Sequence, residues 1–192
     1  MKGREIMIKK FGFTLAEVLI TLGIIGVVAA MTIPTLMNQT SGAELKTGFK
    51  KIVSTLNQAI TMNVALDGND FGSLGTATGT TSVYNMFTSR MNVVSTGTNN
   101  STIGGVFNAG TNYSLFFNDG MAISFPSAAA NCSTLGTDCR IVVDVNGTKK
   151  PNTLSTATNE TSKNGIKDQF VLDFYSQQIQ PHDDRAKYVL YN

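Results

Sequence analysis

Residues 9–36 read KKFGFTLAEVLITLGIIGVVAAMTIPTL. Two lysines lead into Phe11 and Gly12, and the 24 residues from Phe13 to Leu36 then carry a single charge, Glu17. At about 1.5 Å rise per residue a helix of this length spans about 36 Å, enough for a hydrocarbon layer of about 30 Å. The stretch predicts a membrane-inserting helix near the start of the chain. Glu17 is out of place in it. Carboxylates inside membrane segments are costly and face partners. A cut between Gly12 and Phe13 would create an amino terminus at the same depth as Glu17, on the same or a neighbouring copy. The local alternative is that Glu17 lies in the headgroup layer, where a carboxylate in the first helical turn favours the helix dipole.

Lys9-Lys10-Phe11-Gly12 followed by Phe13-Thr14-Leu15-Ala16-Glu17-Val18-Leu19 resembles the class III signal segment of type IV pilins and type II secretion pseudopilins. The resemblance implies a prepilin peptidase that cuts after Gly12 and N-methylates Phe13, an assembly role for Glu17, and leader charges at Lys9 and Lys10. Gly23, Gly26 and Pro34 fall where such helices carry breakers, and bends are expected there. The resemblance covers residues 9–37 and is loose beyond them. An ordinary secretory signal has an apolar core of about 7–15 residues followed by a small-residue cleavage site. Val28-Ala29-Ala30 offers a crude site of that kind, but the apolar run is too long and contains Glu17. A plain uncleaved anchor is the stronger competitor.

Met7 provides a six-residue leader that satisfies the same signal, so either Met1 or Met7 can begin the chain. Lys9 and Lys10 place the leader on the cytoplasmic side by the positive-inside rule, and everything after Leu36 outside the inner membrane. The chain has 15 basic and 13 acidic side chains, of which four and one lie in residues 1–12, leaving 11 and 12 from Phe13 onward. That near-neutral remainder, without a basic block, argues against nucleic-acid binding.

Past the membrane segment, Leu45, Phe49, Ile52, Leu56 and Ile60 recur at spacings of three and four, with Val53 and Val64 alongside. This is one apolar stripe at helical period. Lys46, Lys50, Lys51, Asn57 and Gln58 occupy the other face. One long helix is therefore expected from Phe13 to about Leu66, ended by Asp67-Gly68-Asn69-Asp70, with Gly42 as a further bend. Residues 72–110 are rich in Gly, Thr, Ser and Asn and read as a long, partly helical connection. Tyr113–Phe117 and Met121–Phe125 flank Asn118-Asp119-Gly120, a hairpin signal. Arg140–Val145, Phe170–Tyr175 and Lys187–Tyr191 read as further strands. Four or five antiparallel strands covered on one face by the helix make an α+β head, the pilin-like architecture that the resemblance implies. The domain expectation is a cleaved leader over residues 1–12, a transmembrane and assembly helix over 13–36, its amphipathic continuation over 37–66 and an extracytoplasmic head over 67–192.

Cys132 and Cys139 are the chain's two cysteines. In an extracytoplasmic domain they read as a disulfide closing a small loop, with two free thiols as the alternative. The single histidine, His182, is too far away in sequence to complete a zinc site with them. The segment Val143–Asn152, then Gly165 to Phe170, looks like the "DVNG…PN…G-D-F" closing pattern of many pseudopilin-like proteins. Asn146-Gly147 supplies a tight turn there and Pro151 stiffens its exit. Asp144, Asn146 and Asp168 are hard oxygen ligands that a calcium ion could use, and some pseudopilins bind calcium in this region. The full acidic loop ending in glutamate is missing, and the turn reading is preferred. His182-Asp183-Asp184 is a thin basis for acid–base chemistry, and no glycine-rich phosphate loop follows a strand. An enzyme is not expected, nor any cofactor beyond the calcium candidate.

Two classes of function remain. One is a structural subunit, pilin or pseudopilin, that polymerises through its N-terminal helix. Its expected partners are prepilin peptidase, other copies or related pilins, an inner-membrane assembly platform, and membrane lipid before assembly. The other is a membrane-tethered extracytoplasmic binding protein. Within the first class a DNA-uptake pilus component is an alternative that the near-neutral head disfavours.

Overall fold

The computed structural model describes residues 12–76, 79, 81–99, 103, 111–154 and 167–192, with backbone alone for residues 37–41. The chain divides into two compact units, Met1–Ser41 and Gly42–Asn192, each described by itself. Helix α1 (Leu15–Asp67) contributes to both. In the first unit its helical assignment runs through Gly23, Gly26 and Pro34.

In the second unit the stripe predicted from its period is the buried face. Phe49, Ile52, Leu56 and Ile60 are all 0–1% exposed. Phe49 stacks on Phe170 of the sheet with ring centroids 4.1 Å apart. The helix ends at Asp67, Gly68 takes a φ of +72°, and Asn63 Nδ2 donates to the Asn69 carbonyl at 2.7 Å. The Gly68 N–H donates to the Val64 carbonyl at 3.1 Å, satisfying the last turn as helix C-termini require.

The sheet is a six-stranded antiparallel meander in the order β1 (Val93–Thr98), β2 (Asn112–Phe117), β3 (Ala122–Pro126), β4 (Arg140–Asp144), β5 (Gln169–Tyr175), β6 (Gln178–Pro181). The architecture is α+β. Strand alternation aims Leu115, Phe117, Ile123, Phe125, Ile141, Val143, Phe170, Leu172 and Phe174 into the main core with the α1 stripe. The opposite face is covered as well: Ala122, Val142 and Val171 form a second cluster with Ile103, flanked by Phe116 and Leu154. That is why β4 and β5 read as nearly continuous apolar runs instead of alternating.

Three expectations change. Residues 187–191 belong to a helix, α3 (Asp184–Tyr191), and not to a strand. Asp183 caps it, its Oδ1 accepting from Ala186 N at 2.7 Å, and Ala186 and Val189 are buried at helical spacing. The short alternation Lys-Tyr-Val-Leu-Tyr hid an N-cap signal just upstream. Within residues 72–110 the predicted partial helix is α2 (Val83–Arg90), capped by Ser82, but the same stretch also holds strand β1. The third is β6, a short strand that lies at the other sheet edge and ends at Pro181, where a missing N–H is tolerated.

Two turns meet at the hairpin end of β2 and β3. The Gly120 N–H donates to the Phe117 carbonyl at 3.1 Å and the Phe117 N–H to the Met121 carbonyl at 2.9 Å. Gly147, with φ +71°, packs so closely that a Cβ there would sit 2.4 Å from the Gly120 carbonyl oxygen. The Asn146-Gly147 turn is thus constrained by conformation and by space.

Candidate processing and assembly site

Lys9 and Lys10 lie outside the described residues. Gly12 and Phe13 are exposed, Phe13 by 90%. A Cβ on Gly12 would meet nothing within 4 Å, so no packing among the described residues requires glycine there. Thr14 stands immediately before α1. Its N–H and its hydroxyl both donate to Glu17 Oε2 at 2.8 Å, and the Glu17 N–H donates back to Thr14 Oγ1 at 3.3 Å. This is a reciprocal capping box. Thr14-x-x-Glu17 ahead of an apolar run is the sequence signal for such a box.

The helix satisfies its other polar side chains internally. Leu15–Leu36 is long and apolar enough to cross a membrane, and none of its apolar window is buried. Its side chains with polar atoms are Glu17, Thr21, Thr32 and Thr35. Thr21 donates to the Glu17 carbonyl at 2.9 Å, Thr32 to Val28 at 3.0 Å and Thr35 to Met31 at 3.0 Å. Such back-bonding removes the hydroxyl donors from competition with solvent. Glu17 Oε1 is the exception and accepts no bond among the described residues.

In the head, Cys132 and Cys139 are joined in a disulfide. Cys132 N–H donates to the Phe71 carbonyl at 2.8 Å, Ser176 N–H to the Cys132 carbonyl at 2.7 Å, and Phe174 N–H to the Cys139 carbonyl at 3.0 Å. The bridge therefore staples the segment before β4 to the turn between β5 and β6 and to the segment after α1.

Asp144 and Asp168 act on backbone amides. Asp168 accepts from Asn152 N at 2.7 Å and Thr153 N at 2.8 Å. Asp144 accepts from Asn146 N at 3.1 Å and from the side chain of its cross-strand partner Gln169 at 2.8 Å. Burial, only partly offset by those hydrogen bonds, pushes the Asp144 carboxyl up to about 6. All four carboxylate oxygens of Asp144 and Asp168 accept hydrogen bonds, and in this loop Asn146 Oδ1 is buried without a partner. Calcium takes about six to eight oxygens, and no cluster of three or more His, Cys, Asp or Glu side chains occurs among the described residues. The Gly165 end of the closing pattern lies outside them.

His182-Asp183-Asp184 separates into three uses. His182 Nδ1 lies 2.9 Å from both oxygens of Asp173. Asp183 caps α3, its carboxyl raised above the ordinary range mainly by burial. Asp184 pairs with Lys187 at 3.6 Å.

The site is thus an apolar, unburied helix, long enough to cross a membrane and opened by a capped carboxylate, on a chain that also carries an α+β head. Residues 7–33 match the family model described as the prokaryotic N-terminal methylation motif, the prepilin-type signal of type IV pilins and pseudopilins. No curated protein and no solved structure matches the chain. The motif implies prepilin peptidase processing and assembly with other pilin subunits.

Proposed function

We propose that this chain is a structural subunit of a type IV pilus or type II secretion pseudopilus, cut by prepilin peptidase between Gly12 and Phe13, methylated on Phe13 and polymerised through α1. The observation that carries the reading is Glu17 Oε1, the one carboxylate oxygen left open in a span whose threonine hydroxyls all donate to backbone carbonyls. In a hydrocarbon layer or among packed helices such a group needs a donor. The amino terminus created at Phe13 is a cation four residues away in sequence, on the same or a neighbouring copy. The open surroundings of Gly12 support the same reading, because a glycine with no packing role among the described residues fits recognition by an enzyme. Before assembly the span resides in the inner membrane with the head on the extracytoplasmic side.

Mass spectrometry of the N-terminus of protein recovered from native membranes or fibres tests this. The expected result is a chain beginning at N-methylated Phe13, and retention of the leader when Gly12 is replaced by a bulky residue. A native N-terminus with the leader intact would refute processing and favour a tethered binding protein.

A further inference from the structure

A cavity of about 570 Å³ opens on the head beside the disulfide loop, between the ends of β4 to β6 and α3. Arg140 and Asp173 are cross-strand partners on β4 and β5. Arg140 Nε donates to Asp173 Oδ1 at 3.3 Å, and His182 Nδ1 is 2.9 Å from both Asp173 oxygens. A ring nitrogen facing a carboxylate carries the proton, so His182 donates through Nδ1 and leaves Nε2 on the far side of the ring. One buried carboxylate thus orients a guanidinium and an imidazole together on the cavity wall.

The outward atoms of these groups are not engaged. Arg140 Nη1 and Nη2 and His182 Nε2 have no partner among the described residues. Lys187, which also pairs with Asp184 at 3.6 Å, adds a second cation to the wall, where Asp173 is the one carboxylate among the lining residues. Leu135, 57% exposed on the disulfide loop, and Pro181 supply apolar surface to the same cavity. Arg140 follows Cys139 directly, and the Phe174 N–H to Cys139 carbonyl bond of 3.0 Å fixes that end of the loop against β5. The disulfide positions both the cation and the apolar wall.

We propose that this cavity binds a carboxylate attached to a short branched hydrocarbon. The free edge of the Arg140 guanidinium presents two parallel donors, the geometry that matches a planar carboxylate. The hydrocarbon packs on Leu135 and Pro181. Asp173 in the wall works against a dianion, so a phosphate is the poorer occupant. A free short-chain acid and the C-terminus of a peptide ending in leucine share this chemistry.

His182 is the only histidine in the chain, so its ring proton signals report on the cavity alone. The experiment follows those signals by NMR in the full chain, held in detergent micelles, during titration with isovalerate or with acetyl-alanyl-leucine. Each is compared with its amide counterpart, with inorganic phosphate and with sodium chloride. Saturable shifts with isovalerate support a free acid as occupant. Saturation by the peptide alone supports a peptide C-terminus. Arg140→Gln should weaken binding by at least about tenfold, the loss of a bidentate charge-assisted pair. Lys187→Gln, on the exposed side of α3, should weaken it about threefold with an unchanged melting temperature. Lys51→Gln, outside the cavity, should leave it unchanged. No saturable shift, an equal response to the amides or to chloride, or a stronger response to phosphate overturns the proposal. So does unaltered binding in Arg140→Gln, or in Lys187→Gln should Arg140→Gln fail to fold.

Discussion

Replacing Gly147 by alanine should unfold the head far more readily than the same change at Gly120. Both glycines hold positive φ, +71° and +84°, so each alanine bears the left-handed backbone penalty of about 1–2 kcal/mol. Around Gly120 a Cβ meets nothing within 4 Å, and the backbone penalty is the whole cost. At Gly147 the new Cβ would lie 2.4 Å from the Gly120 carbonyl oxygen, and real Cβ contacts stay above 3.0 Å. One turn must retreat by at least 0.6 Å to reach that limit. The Gly120 carbonyl belongs to backbone, held by the hairpin bonds of Phe117, Gly120 and Met121, and cannot swing aside as a flexible side chain would. Forced overpacking of this kind adds about 1–3 kcal/mol. At about 2–4 °C per kcal/mol for a chain of this size, Gly120→Ala should lower the melting temperature by a few degrees and Gly147→Ala by roughly 10 °C. Near-ultraviolet circular dichroism of the detergent-solubilised chain, reading its tyrosines, measures both. Melting temperatures within about 1 °C of each other would show that the close approach of the two turns does not constrain the head.

Glu17→Gln keeps an acceptor for the Thr14 cap and removes the charge, whereas Thr14→Ala removes most of the cap and keeps the charge. Fibre yield should collapse in the first and fall only mildly in the second, with membrane fractionation normal in both; equal yields would reduce Glu17 to a helix cap. Cys132→Ser with Cys139→Ser should cost about 2.5 kcal/mol by loop-closure entropy, seen as a lower melting temperature than the parent chain; an unchanged value would contradict a stapling role. Asp144 has a folded-state value of about 6, above the ordinary 3.8, so its ionisation opposes folding as pH rises through that window. The parent should therefore gain stability from this group between pH 7 and pH 4, by at most about 3 kcal/mol, and Asp144→Asn should flatten that part of the profile; parallel profiles would rule the group out. Millimolar calcium should leave the melting temperature of the parent unchanged, and a rise of several degrees that Asp168→Asn abolishes would restore the calcium reading.

Much of this protein was legible because its signals are local or periodic. The span, its basic approach and Glu17 lie within 28 consecutive residues, 9–36, where length and charge alone limit the options. The stripe from Phe49 to Ile60 is a period that any buried helix face must show. Asn118-Asp119-Gly120 announces its hairpin by the φ that glycine permits. The misreadings have equally local causes. Residues 187–191 alternate like a strand over too short a window, and the Asp183 cap upstream outweighs that pattern once Ala186 and Val189 find the core. Strands β1 and β6 are the two sheet edges, whose pairing comes from β2 and β5, not from their own composition.

By itself the sequence determined the methylation motif, the apolar N-terminal helix, the α+β class and the presence of two cysteines, since each rests on residues close together in the chain. Tertiary structure alone decided that Arg140, Asp173 and His182 share one carboxylate, because strand register and the β5–β6 turn bring together residues 33 and nine positions apart. It likewise decided that Asp144 and Asp168 grip backbone amides of the same loop, and that Gly147 has no room for a side chain. No spacing in a linear sequence encodes such contacts, which arise only when the sheet has closed.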